Sequence, residues 1–214
     1  LSAPRNARII DGTGLHVTPG IIDCHSHTAV VGGVNEGTNI ITAECRIEDV
    51  LDPDDINIYR QLAGGTTAAN ILHGSANAIG GQNAVVKWRW GSGASALLIE
   101  SAPQGIKFAL GENPTRSNGS RQGRYPATRM GVERVIRSGF QRAHDYRQAQ
   151  KLAKSGNGPA VATDYQLEAI AEILEGKRLV HCHSYKADEI LAMIRIADDF
   201  KFKIATFQHV LEGY

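Results

Sequence analysis

Short apolar runs alternate with longer helical stretches along this chain, and that alternation restricts its fold more than any other feature. Runs of strand length occupy residues 21–24, 66–72, 105–110, 179–183 and 203–209, and residues 84–88 and 96–99 compete for one more. Between them, residues 51–62, 129–154, 164–174 and 186–200 carry helical periodicity. Asp164 is placed to cap one of these helices and Gly176 to stop it. The pattern predicts βαβ units and a parallel sheet. A closed β/α barrel needs eight strands and about 250 residues, whereas this chain supplies about six strands in 214 residues. Glycine-rich segments 74–93 and 111–126 follow strand ends, where binding loops of such folds lie.

Composition narrows the function by exclusion. With 23 basic and 22 acidic side chains, the formal charge of +1 gives no reason to expect nucleic acid or an anionic membrane as partner. No apolar run approaches the roughly 20 residues that span a bilayer. Cys24, Cys45 and Cys182 are too few and too irregular for a disulfide framework or a cysteine-based zinc knot. Residues 1–8 lack the build of a secretory signal and begin with leucine. The chain thus reads as starting part-way through a gene product, with localisation left open.

The histidines point to chemistry. Residues two apart on a strand project the same way, so His25 and His27 of the run Asp-Cys-His-Ser-His leave one strand end together. Paired neutral imidazoles suit a cation such as Zn²⁺, although a core or surface pair is the plain alternative. The spacing recurs at His181 and His183, and His209 ends the following strand, so five of eight histidines gather at C-terminal strand ends. That is the face on which parallel β/α folds build active sites. Lys107 lies inside an apolar strand, where an ammonium requires a partner or a lowered pKa. An ion pair with Glu112 or Asp23 is the simplest reading of the residues, and a neutral amine that takes up CO₂ is the other. His73, ahead of Gly74, is either substrate-facing or a loop residue. His16 and His144 read as surface or structural groups, the turn at Gly80-Gly81 as loop geometry, and the arginines of 116–129 as a solvated loop.

These motifs resemble the amidohydrolase superfamily. The stretch VTPGIIDCHSHT (residues 17–28) is similar to that family's first barrel strand. The segments GGTTAANILHGSANAIGGQNAVVK, GIKFALGENP and LVHCHSYKADEILAMIRIADDF extend the likeness toward imidazolonepropionase-like and dihydroorotase-like members. The resemblance implies a partial TIM (β/α) barrel over residues 17–214, with residues 1–16 as the link from a β-sandwich. It implies one or two divalent metal ions, with zinc foremost. His25 and His27 would hold the more buried ion, a carbamylated Lys107 would bridge, and His181 and His209 would hold the second. His183, which competes with His181 as ligand, and His73 would face the substrate. The family's aspartate on the eighth strand has no counterpart before Tyr214.

The activity so implied is hydrolysis of a C–N bond in an amide, cyclic amide or amidine of a small molecule by metal-activated water. Two other readings compete. One is a metal-binding barrel segment that turns over only with a further C-terminal segment or within a homo-oligomer. The other is a non-metal β/α ligand-binding module, for which the strand-end histidines would be coincidence.

Overall fold

The computed structural model describes residues 3–214. Residues 3–20 form neither strand nor helix and are exposed throughout; residues 1 and 2 of the expected link lie outside the described residues. Seven strands and six helices follow. The strands are β1 (Ile21–Ser26), β2 (Thr66–Ile71), β3 (Ile79–Gln82), β4 (Ala84–Lys87), β5 (Gln104–Ala109), β6 (Arg178–Ser184) and β7 (Ile204–His209). The helices are α1 (Ile56–Ala63), α2 (Ala94–Leu97), α3 (Glu112–Thr115), α4 (Arg129–Lys154), α5 (Tyr165–Leu174) and α6 (Ala187–Phe200). No helix among the described residues is long and apolar enough to cross a membrane.

The strands form two sheets, β1-β2-β4 and β3-β5-β6-β7, and no ladder among the described residues closes them into a barrel. The expected parallel pairing holds for β1/β2, β5/β6 and β6/β7, whereas β2/β4 and β3/β5 are antiparallel. Two features explain the departure. Residues 79–82, read as loop, pair with β5 because Gly80 and Gly81 leave room beneath His73. A Cβ on Gly80 would meet the ring at 2.8 Å and one on Gly81 at 2.9 Å. The chain then turns at Asn83 and enters the other sheet as β4. Of the competing runs 84–88 and 96–99, the first supplies the strand β4, while the second begins inside the single helical turn Ala94–Leu97.

The helical reading also needs trimming. Residues 47–50 form a 3-10 turn, and α1 starts only at Ile56, where Asp55 accepts the Asn57 backbone N–H. The segment 111–126 contains α3 and a π-type turn at Arg116–Ser120. By contrast α4 spans the expected residues and is capped by Thr128. Helix α5 is capped by Asp164, and Gly176 follows it at φ 71°.

Alternation along β5 divides its side chains. Ile106 and Phe108 enter the apolar core with α4, α5 and α6, leaving Lys107 on the other face. Phe140 of α4 is the centre of that core, stacking on Phe202 at 4.4 Å and Phe200 at 5.4 Å and lying tilted against Phe108 at 5.8 Å between ring centroids. Phe140→Ala is expected to lower the unfolding free energy by about 3–5 kcal/mol, since the fully buried ring leaves a cavity its neighbours cannot fill. Urea titration checks this through a lower midpoint at unchanged slope.

Candidate metal centre

Strand register assembles the site. Lys107, His181 and Thr206 stand in one row across β5, β6 and β7; Ala109, His183 and Gln208 form the next. Gly105 lies below Lys107 on the same face because a Cβ there would meet Asn83 Oδ1 at 2.3 Å and the His181 ring at 2.9 Å. The end of β7 breaks the alternation. His209 and Val210 adopt φ values of 69° and 49°, which swing the His209 ring over the strand ends. Its centroid comes within 4.6 Å of His183 and 5.1 Å of His25.

His25 and His27 converge as their spacing predicts, with Nε2 atoms 3.2 Å apart. The His27 Nδ1–H donates to the Leu72 carbonyl at 2.8 Å, and the His25 Nδ1–H donates to Gln208 Oε1 at 2.8 Å. In that arrangement both Nε2 atoms direct lone pairs toward one another, a repulsion that a cation shared by the two would relieve, and Lys107 Nζ stands 3.5 Å from that of His25. Two imidazoles on one tetrahedral zinc would hold their nitrogens about 3.3 Å apart, so the pair already has ligand spacing. Donation of the second ring N–H to a carbonyl is the usual support of a metal-binding histidine. Among the described residues, however, no three His, Cys, Asp or Glu side chains gather as a metal-holding group. The donor chemistry fits a divalent cation at the His25–His27 pair.

Lys107 lies beside this pair, fully buried, with Nζ 3.5 Å from His25 Nε2. The ion pair expected from the residues alone does not form. Glu112 pairs with Arg116, and Asp23 Oδ1 accepts the His25 backbone N–H. Among the described residues no carboxylate bridges Lys107. Burial pushes its pKa down to about 8. In turn its charge helps depress six histidines: 25, 27, 73, 181, 183 and 209. For each the larger cause is burial; His25 falls to about 4 and His183 to about 3. The group is therefore a set of neutral imidazoles around one lysine.

The remaining candidates separate by their partners. His181 Nδ1 is hydrogen-bonded to Thr206 Oγ1 at 2.9 Å, in the row next to that of Gln208. His183 is buried, with neither ring nitrogen hydrogen-bonded, and packs edge-on to Tyr185. His73 is fully engaged: Nδ1–H donates to the Gly74 carbonyl and Nε2 accepts the Glu36 N–H, each at 2.9 Å. Its ring thus ties residue 36 to the loop after β2. His144 is exposed beside Asp145, and Arg124 straps the segment 111–126 to the carbonyls of Gly37 and Thr38. Gln208 and Thr206, which touch His25 and His181, carry no metal-type signature; only their i, i+2 spacing with the Lys107 face marks them.

No family model matches the chain. It is 34% identical, over a 236-residue alignment, to amidohydrolase tasK of Hapsidospora irregularis, covering 99% of this chain and 24% of that protein. The crystal structure of an amidohydrolase from Thermotoga maritima MSB8 superposes with a TM-score of 0.88 at 35% identity, over 95% of this chain and 55% of that one. The chain spans about half the length of the solved relative and about a quarter of the curated one. Over nearly its whole length the chain is similar to amidohydrolases.

Two outcomes follow for the chelator-treated chain. Lys107→Met removes a buried ammonium that has no carboxylate partner, at similar volume, so its thermal midpoint is expected to rise above that of the unaltered chain in a calorimetric scan. The pH response has the same sign as that of a salt-bridged carboxylate, at higher pH, because the folded-state pKa values again lie below the unfolded ones. His183 and His25 are depressed when folded, so their contribution is whole above the unfolded value near 6.5 and is lost as pH falls toward 4 and 3. Urea midpoints are expected to drop between about pH 7 and about pH 5, and His183→Asn to flatten that drop.

Proposed function

We propose that this chain carries the metal-binding part of a hydrolase that cleaves a C–N bond in an amide, cyclic amide or amidine of a small molecule. The observation that carries the reading is the pair of facing Nε2 atoms of His25 and His27, 3.2 Å apart, beside a buried lysine with no carboxylate partner. High likeness to amidohydrolases over nearly the whole chain supports it. So do the three parallel pairings, which agree with a partial β/α barrel of about six strand–helix units. Residues 17–214 form that barrel segment in this reading, and residues 1–16 lead into it.

His25 and His27 would hold one divalent ion, and His181 and His209 a second, with zinc the best match to imidazole donors. Lys107 would bridge as a carbamate. Its amine, with pKa near 8, is neutral in roughly a tenth of molecules at neutral pH. The neutral nitrogen adds to the carbon of CO₂ and loses a proton, leaving an anionic oxygen donor where the ammonium had no counter-charge. When bound, the metal supplies a Lewis acid that lowers the pKa of water toward about 7 and polarises the scissile carbonyl. Around it the chain orients and excludes water. Backbone and side-chain acceptors fix the His25 and His27 rings, and His73 holds the loop above β2. His183, buried and without a protein partner on either nitrogen, is the group best placed to meet substrate.

A narrower reading has its own support. The outer strand β1 leaves Ile21 57% and Ile22 71% exposed. On that reading this chain binds metal but turns over only with a further segment, or a second copy, against the strand.

Element-resolved metal analysis of the purified chain after zinc incubation and desalting tests the site. About one or two equivalents are expected, falling to near zero in a His25→Ala/His27→Ala double variant. Equal metal content in the two proteins would refute the assignment.

A further inference from the structure

We infer that Gln208 is the positioning residue of the His25–His27 pair, and that it extends the same hydrogen-bond order through Thr206 to His181. Gln208 is only 9% exposed, and both ends of its amide are engaged. Oε1 receives the His25 Nδ1–H at 2.8 Å, and Nε2–H donates to Thr206 Oγ1 at 2.7 Å. Thr206 Oγ1 also lies 2.9 Å from His181 Nδ1, donating or accepting according to the tautomer of that ring. The order His25, Gln208, Thr206, His181 thus crosses from β1 in one sheet to β7 and then to its ladder neighbour β6 in the other.

The chemistry of the amide gives the relay a direction. With its oxygen toward His25, Gln208 demands a proton on Nδ1, and Nε2 is left without one, its lone pair 3.5 Å from Lys107 Nζ. On the other ring, the Leu72 carbonyl can only accept, so it imposes the same tautomer on His27. One backbone acceptor and one side-chain acceptor therefore hold two lone pairs 3.2 Å apart and aimed together. That opposition has a repulsive cost which a cation removes. A leucine at 208 would preserve bulk but leave His25 free to move its proton to Nε2 and donate to His27, closing the pair without metal. A glutamate would still accept from Nδ1 and keep Nε2 bare. The inference rests on the metal-centre reading only for its consequence, not for the tautomer itself.

The test uses the full chain with two readouts. Long-range ¹H–¹⁵N spectra of the imidazoles in the metal-free protein report which nitrogen of His25 carries the proton. Zinc affinity, measured with zinc alone by competition against a chromophoric chelator, reports the consequence. The expected result is an Nδ1–H tautomer at His25, lost in Gln208→Leu and kept in Gln208→Glu. Zinc binding is expected to weaken about 10- to 100-fold in the leucine variant and to recover in the glutamate variant. An Nε2–H tautomer at His25 in the unaltered protein, or unchanged zinc affinity in Gln208→Leu, would overturn the inference. If the unaltered chain takes up no zinc, the metal-centre reading fails while the tautomer spectra still decide the role of Gln208. Equal losses in the leucine and glutamate variants would mean that accepting the His25 Nδ1–H is not what sets zinc affinity, which also overturns it.

Discussion

A lysine buried without a counter-charge is the constraint on which the rest of this structure depends. Desolvation alone would favour burying almost any other side chain at position 107, and the strand around it is otherwise apolar. The fold tolerates the amine by surrounding it with groups that are themselves held neutral. Burial and the lysine's own charge both lower the histidine pKa values, so ammonium and imidazolium do not compete in one small volume. The same arrangement is poor for a protein without a ligand and good for one that receives a divalent cation and an anionic bridge. Stability and chemistry pull in opposite directions at this point, as they do in many binding sites.

The scaffold makes that tension sustainable by locking what surrounds it. Ile106 and Phe108 anchor β5 in the helical core on the side opposite Lys107, so the lysine cannot rotate outward without dragging the aromatic stack around Phe140. Glycines do complementary work on the inner face. Gly105 admits Asn83 and His181 beneath the lysine, and Gly80 and Gly81 admit the His73 ring. Replacing space with a methyl group in any of these places would force backbone or ring to move.

Ring orientation is set separately for each histidine. His27 depends on a main-chain carbonyl, His25 on an amide from a distant strand, His181 on a hydroxyl, and His73 on two backbone groups. His183 depends on packing alone, held between the Tyr185 and His209 rings. This explains why residues with the same side chain and similar strand positions differ in what they can do. A ring with both nitrogens occupied is structural, one with a single anchored nitrogen offers a directed lone pair, and one with none is open to a ligand.

Strand and helix positions were largely written into the sequence, because apolar periodicity, Asp164 at a helix start and Gly176 after its end act over a few residues. The gathering of His25, His27, His181, His183 and His209 was equally legible, since strand alternation and shared strand ends are local properties repeated along the chain. The antiparallel strand 79–82 was not, because its two glycines have no side chains to give a period and their use is to seat a ring from elsewhere. Nor was the partner of Lys107: sequence offered nearby carboxylates, and only the three-dimensional arrangement turned Glu112 toward Arg116 and Asp23 toward a backbone amide. Which nitrogen of each histidine carries a proton was likewise decided by contacts between residues as far apart as 25 and 208. Local spacing thus determined which side chains reach the site. Tertiary packing decided their tautomers and charges, because desolvation and hydrogen bonding are properties of surroundings that distant strands supply.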